Sequence, residues 1–260
     1  MSTNSRLKIL ISNDDGLFAP GIKYLAEIAK NFGEVIVSAP NKPQSGMSHA
    51  MTLGKPLRLK EKLLIEGVTA YECTGTPVDC VKLALDKLYD EKPDLILSGI
   101  NHGSNSSINV VYSGTMAAAM EGALANINSI GFSFLNHSHQ ADFAPCLKFV
   151  PQVIEMALQY GFPPSRLLNV NVPDLGVDEV KGIKACRQAN ARWVEDYEER
   201  LDPYNQTYYW LKGEFVNFDK RTDTDIKALE DGYVSVVPVQ VEQTPQESLD
   251  FLDKNWKTNA

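Results

Sequence analysis

Three short apolar runs, each broken off by a polar loop, limit what this chain of 260 residues can fold into. Residues 7–12 (LKILIS) end in Asn13-Asp14-Asp15-Gly16, residues 34–39 (EVIVSA) end in Pro40, and residues 95–98 lead into Gly99-Ile100-Asn101. Short apolar runs bounded in this way read as strands buried on both faces of a sheet. Helical patterns fill the intervals, at residues 22–31, 77–89 and 115–125 (TMAAAMEGALA). A further strand is expected at 130–134 and a helix around 146–160. This alternation predicts an α/β fold, a doubly wound and mostly parallel sheet. Ligands of such sheets bind outside the carboxyl ends of the strands. Parallel strands would open the loops 13–21, 41–49 and 101–112 on one edge, which is the expected site.

Local signals refine the outline. Residues 51–60 and 63–73 suggest a hairpin. Thr76, Pro77 and Asp79 have the order of a helix N-cap, first position and third position. After about Pro173 the texture changes, dividing the chain into a core at 1–173 and a C-terminal region at 174–260. Residues 193–212 are rich in aromatics and charge and read as an extended hairpin, either a local flap or an arm that wraps a neighbouring subunit. Residues 233–239 form a late strand, and Thr244-Pro245-Gln246-Glu247 has the pattern of a capping box opening a last helix.

Composition narrows the function. A formal net charge of −8 argues against a nucleic-acid polymer as partner. A small anion remains compatible, because a bound cation and backbone N–H groups reverse the potential locally. Cys73, Cys80, Cys146 and Cys186 form no CxxC pair and have no histidine at zinc-like spacing, so free thiols in a reducing compartment are expected. No apolar run approaches the ~20 residues that span a bilayer, and the first apolar run is too short for a signal peptide. A cytoplasmic protein without membrane partner is the expectation.

The loops hold the residues that carry chemistry. Asn13–Gly16 is either a turn with solvated charges or a site where Asp14 and Asp15 share a cation such as Mg²⁺ or Mn²⁺. A phosphoaspartate nucleophile would need a DxDx(T/V) pattern, which is absent. In the second loop Gly46 permits close backbone approach and Ser45 offers a neutral hard oxygen, as an ordinary Ser-Gly turn also would. His49 is either structural, a phosphate contact or an acid. Asn101 offers an oxygen to a metal or an NH₂ to a phosphate. Ser113-Gly114-Thr115 opens a helix whose free N–H groups suit an anion, whether or not Ser113 also caps it. Thr74-Gly75-Thr76 caps another helix, and Cys80 reads as packing. His137 and His139 read as a surface loop. A GxSxG elbow, a Walker A loop and a GxGxxG fingerprint are all missing.

Taken together, the ordered blocks ILISNDDG, SGMSHAMT, TGTPVDCVKLAL, DLILSGIN, YSGTMAAAMEG, LNVNVP, RQANARWVEDYEERLDPYNQTYYW and RTDTDIKALEDGYVSVVP resemble the SurE family, the survival-protein E nucleotidases. The resemblance runs from Leu7 to about Pro238. It implies a Rossmann-like core, subunit exchange through the C-terminal region giving a homodimer or homotetramer, and hydrolysis of nucleoside 5′- and 3′-monophosphates. It maps one divalent metal ion per subunit onto Asp14, Asp15, Ser45 and Asn101, and the phosphate pocket onto Ser113, Gly114 and Thr115, beside Gly46. Asp14, Asp15 and Asn101 are the expected catalytic residues. Between Gly103 and Val110 the family usually runs G-x-N-x-G-x-D, whereas this chain has Gly103, Asn105, Ser107 and Asn109. His102 also replaces a small or basic residue.

The expected reaction is metal-assisted phosphoryl transfer to water, with helix N-terminal amides stabilising charge on the phosphoryl oxygens. No side chain stands out as general base. Two other readings fit the same cleft: a metal-dependent phosphatase acting on other phosphoesters or short polyphosphate, and a non-catalytic nucleotide-sensing module.

Overall fold

Alternate residues of the central strands bury into opposite faces of one sheet. In β1 (Leu7–Ser12), Ile9 and Ile11 enter one apolar layer while Leu10 enters the other. A strand covered on both sides needs apolar residues at every position, which is why it reads as a continuous run. This computed structural model describes residues 6–138 and 140–256; His139, read as part of a surface loop, lies outside them.

After β1 come α1 (Pro20–Ala29), β2 (Gly33–Pro40), β3 (Leu59–Lys62), β4 (Thr69–Cys73), α2 (Pro77–Lys87) and β5 (Leu95–His102). The chain continues through α3 (Asn109–Tyr112), α4 (Gly114–Leu124), β6 (Asn128–Phe134), α5 (Ala144–Tyr160) and β7 (Leu167–Val172). Six strands run parallel in the spatial order β4-β2-β1-β5-β6-β7. The chain winds outward from β1 in one direction, returns to β5, and winds outward in the other. The order therefore reverses between β1 and β5, the switch point at which a doubly wound sheet opens its ligand crevice. Residues of α1 and α5 pack into the layer holding Ile9 and Ile11, and residues of α2 and α4 into the layer holding Leu10.

Beyond β7 the chain forms β8 (Ile183–Ala185), β9 (Ala191–Leu201), β10 (Thr207–Asn217), α6 (Asp225–Glu230), β11 (Val234–Pro238) and α7 (Gln246–Asn255). Strand β11 pairs antiparallel with β7 and parallel with β8, so the sheet reaches nine strands and crosses the position where the sequence texture changes. Strands β9 and β10 form a separate antiparallel ribbon, from the Ala191–Asn217 pair to the Leu201–Thr207 pair, with most of its side chains exposed. None of the ten residues of α7 is buried.

Several sequence expectations change. The hairpin before α2 is real but short, since only Leu59–Lys62 pairs with β4 and residues 51–58 are irregular. Strand β5 runs on through Asn101 and His102, past a register shift after Ser98. The capping box at 244–247 does not form: Pro245 is the N-cap, and the Thr244 N–H is taken by Glu242 at 2.7 Å. The box at Thr76 and Asp79 does form. All four cysteines are free thiols, and among the described residues no helix is long and apolar enough to cross a membrane.

Candidate active site

The chain leaves β1 through a turn built by Asn13, whose Oδ1 accepts from the Gly16 N–H (3.2 Å) and whose Nδ2 donates to the Gly16 carbonyl (3.0 Å). Gly16 has φ +99°, which favours glycine. This turn buries Asp14 to 4% exposure and leaves Asp15 half-buried. Thr115 Oγ1 donates a short hydrogen bond to Asp14 Oδ1. Burial pushes the Asp14 carboxyl up to about 6, and the charge of Asp15 adds to the rise, while the Thr115 hydroxyl opposes both. Asp15 Oδ2 accepts from the His102 backbone N–H at 3.3 Å. The two carboxylates thus belong to the junction of β1 with α4 and β5.

The loop after β2 is tied to this junction along its length. The Gln44 N–H donates to the Asp14 carbonyl (2.7 Å), and Ser48 bonds through its N–H to the Tyr112 carbonyl (3.1 Å) and through its hydroxyl to the Val111 carbonyl (2.7 Å). His49 Nε2 lies 2.9 Å from Glu121 of α4, which Lys82 of α2 also engages at 2.8 Å. His49 is therefore an anchor of the loop. Between these ties Ser45 and Gly46 stand exposed, with Gly46 at φ +72°. Asp79 accepts from Thr52, and Thr76 donates to the Ala50 carbonyl, so the start of α2 is occupied with holding the same loop.

Two further walls come from α4 and β5. Ser113 caps α4 by accepting from the Met116 N–H (3.0 Å). Gly114 lets the helix meet the first turn: a β-carbon there would stand 2.7 Å from Asp14 Cβ and 3.0 Å from its Oδ2. Thr115 is fully buried beneath Asp14, so it positions the carboxylate and does not line the cleft. Asn101 donates from Nδ2 to the Gly103 carbonyl (2.8 Å), which turns its Oδ1 away from that carbonyl. Beyond it lies a buried amide network that the sequence reading missed. Asn105 donates to Ser133 and Asn171, and Asn169 donates to the Asn105 carbonyl, each within 2.9 Å. Two asparagines of β7 thus fix the loop that follows β5.

These pieces enclose one cleft of about 830 Å³. Asp14, Ser45, Gly46, Asn101 and Ser113 line it together; Asp15, Gly114 and Thr115 do not line it. His137, expected on a surface loop, is exposed, but its ring sits where a β-carbon on Gly103 would be and it lines the cleft. The ribbon enters as the local-flap reading allowed, with Trp193, Glu195, Leu211, Lys212 and Gly213 on the cleft wall beside Asn109 and Tyr112. Among the described residues no group of three or more His, Cys, Asp or Glu side chains is arranged to hold a metal. A cation in this cleft would depend on two carboxylates completed by the hydroxyl of Ser45 and the amide oxygen of Asn101. All four are hard oxygen donors of the kind Mg²⁺ or Mn²⁺ takes. A buried carboxyl with a raised pKa, Asp14, beside a second carboxylate, Asp15, fits such an ion, because the cation would offset both the burial and the repulsion.

The family model described as survival protein SurE matches residues 9–195, which spans β1 to the root of the ribbon. The chain belongs to the SurE family. A relative from Christiangramia forsetii named 5′-nucleotidase SurE is 51% identical over 253 residues, covering 96% of this chain and 97% of its own. Another of that name from Cytophaga hutchinsonii is 51% identical over 254 residues, covering 97% and 98%. The solved SurE protein from Aquifex aeolicus superposes with a TM-score of 0.82 at 36% identity, covering 96% of this chain and all of that one. The α/β fold with its antiparallel C-terminal hairpin is therefore a SurE fold.

Proposed function

We propose that this protein is a divalent-metal-dependent 5′-nucleotidase that also accepts nucleoside 3′-monophosphates. The carrying observation is the buried Asp14 beside Asp15 at the switch point, in one cleft with the capped start of α4. A pure phosphate binder gains nothing from two negative charges at its centre, whereas a site that holds a cation requires them. The family's nucleotidase relatives support the substrate class.

Asp14, Asp15, Ser45 and Asn101 would hold the ion. When bound, such a cation neutralises phosphate oxygens and lowers the pKa of coordinated water. Thr115 fixes the rotamer of Asp14 through its hydroxyl. The first turn of α4 lacks helical partners for its N–H groups, which suits an anion, and one of them, the Thr115 N–H, also serves Asp14. Ser113 joins them at the cleft surface, and Gly46 lets the 41–49 loop come close to the phosphate. These donors are preformed, so they cost no reorganisation as charge builds on the phosphoryl group. Residues 1–173 supply this catalytic core, and residues 174–260 supply the arm, returning strand and terminal helix for assembly into a homodimer or homotetramer in the cytoplasm.

Chelation tests the reading. Hydrolysis of nucleoside monophosphates should vanish in EDTA and return on adding Mn²⁺ or Mg²⁺. Undiminished activity in chelator would refute the mechanism.

A further inference from the structure

Two exposed aromatic rings share the cleft with the carboxylates. Tyr112 ends α3 directly before the Ser113 cap and is 53% exposed; Trp193 lies at the root of the ribbon and is 46% exposed. A tryptophan left half open on a cleft wall offers apolar ring surface to the cleft, although the ring is firmly held. Its indole N–H donates to Asn109 Oδ1 at 3.0 Å, and Phe215 packs against it edge-on with ring centres 5.5 Å apart.

A second residue of the same loop, Ser107, also acts on the strand that carries Trp193. Ser107 has φ +54°, a conformation that glycine adopts freely and a serine does not. Its hydroxyl lies 2.8 Å from the carbonyls of Ala189 and Ala191 and accepts from the Ala191 N–H at 3.0 Å. Ala191 is the first residue of β9, two before Trp193. Asp225 reinforces the same clasp by accepting from the N–H groups of Ser107 (2.7 Å) and Ala189 (3.0 Å). A glycine at 107 would keep the turn and lose the hydroxyl.

We propose that Trp193 and Tyr112 form the subsite for the nucleobase, and that Ser107 and Asn109 are positioning residues that hold Trp193 at the cleft. The assignment rests on the nucleotidase reading for its choice of ligand. A flat aromatic wall suits any base through its π-face, and stacking of this kind is tolerant of base identity. Asn109 supplies the acceptor for the indole without itself adding negative charge near a phosphate-bearing substrate.

Adenosine, which lacks the phosphate, probes the subsite directly. Calorimetry on the full chain should give an affinity at least about tenfold weaker for Trp193→Ala, the scale of one base-aromatic stack. Trp193→Phe should stay close to the native value, and Ser107→Gly should fall between the two. In metal-loaded enzyme, the ratio of kcat/KM for AMP to that for ribose 5-phosphate should drop with Trp193→Ala and Ser107→Gly, through KM for AMP. Adenosine affinity unchanged in both Trp193→Ala and Ser107→Gly would overturn the subsite. So would equal losses on AMP and ribose 5-phosphate, which a general loosening of the fold would cause. Should Trp193→Ala not fold, Ser107→Gly and Trp193→Phe carry the same comparison. A native protein that binds adenosine in a Trp193-dependent manner yet hydrolyses no nucleotide would remove the reaction and leave the subsite standing.

Discussion

Burial of Asp14 beside Asp15 raises the cost of ionising it, and Thr115 returns only part of that cost through one hydroxyl. Such an arrangement lowers stability locally and is retained where the charge is used. Asp14→Asn and Asp15→Asn should each lower kcat by at least about 10³, the scale of a main electrostatic element of a site. Circular dichroism should report an intact fold, and metal-free Asp14→Asn should melt above the native protein because a buried like-charge contact is relieved. A loss of tenfold or less in both variants would reduce the pair to a turn. Thr115→Val keeps the volume and removes the donor. It should weaken Mn²⁺ affinity by about 10- to 100-fold, the effect typical of groups that orient a metal ligand. Calorimetric titration of Mn²⁺ checks this, and an unchanged affinity would leave Thr115 as packing. Ser113 separates cap from cradle: Ser113→Ala should raise KM for AMP and weaken inhibition by inorganic phosphate, and no change in either would make it a cap alone.

Helix α4 joins two demands at its first turn. Alanine is a good helix former, so Gly114→Ala should be favourable on propensity. Its β-carbon would instead stand 2.7 Å from Asp14 Cβ, and the clash should destabilise the protein by about 1–3 kcal/mol and depress kcat. The other end of the same helix holds the 41–49 loop. Burial pushes the Glu121 carboxyl up, but hydrogen bonds and charges from His49 and Lys82 outweigh it and leave the group below its usual range. A carboxyl lowered in the folded state stabilises fully above its ordinary pKa of about 4.3, and the contribution fades as pH falls through the lower native value. The stability gap between the native protein and Glu121→Gln should therefore be widest near neutral pH and close below about pH 4. Denaturant unfolding across that range checks it; a gap constant from pH 7 to 3 would exclude a role for the charge. At this scale the sequence was most readable where burial is two-sided. Strands β1, β2 and β5 have apolar positions on both faces, and their loops converge on the cleft as the alternation predicts. Strand β7 escaped because Asn169 and Asn171 interrupt its apolar pattern, and their burial makes sense only through bonds to Asn105, more than sixty residues away. His137 escaped for a similar reason: its place in the cleft is set by Gly103, in the loop after β5.

In the whole molecule, the ribbon of β9 and β10 has little of its own chain to rest on. A two-stranded sheet alone is marginal in water, yet this one carries Tyr197, Leu201, Tyr209, Trp210 and Leu211 at 58–62% exposure. Its aromatic and charged composition was legible as an extended hairpin, with an arm and a local flap both open. The structure divides it: the root lines its own cleft, while Tyr197, Leu201, Tyr209 and Trp210 lie outside the cleft lining. Aromatic side chains on an arm that leaves the core are stabilised when a second subunit covers them. Charged neighbours such as Glu199 and Arg200 would form the polar rim of that contact and set its register. The terminal helix α7 adds Leu249, Phe251 and Trp256, which are likewise exposed in the single chain. A homodimer or homotetramer is expected, with ribbon and terminal helix both at its interfaces. Sedimentation equilibrium at micromolar concentration decides it, since a single species near the chain mass of 28.8 kDa would remove the assembly. Trp210→Ala together with Tyr209→Ala should shift the equilibrium toward monomer and leave Asp14, Ser45 and Asn101 untouched. Because the root of the ribbon also forms the cleft wall, loss of assembly should appear in KM for nucleotides more than in kcat, and equal loss in both would uncouple the arm from substrate binding.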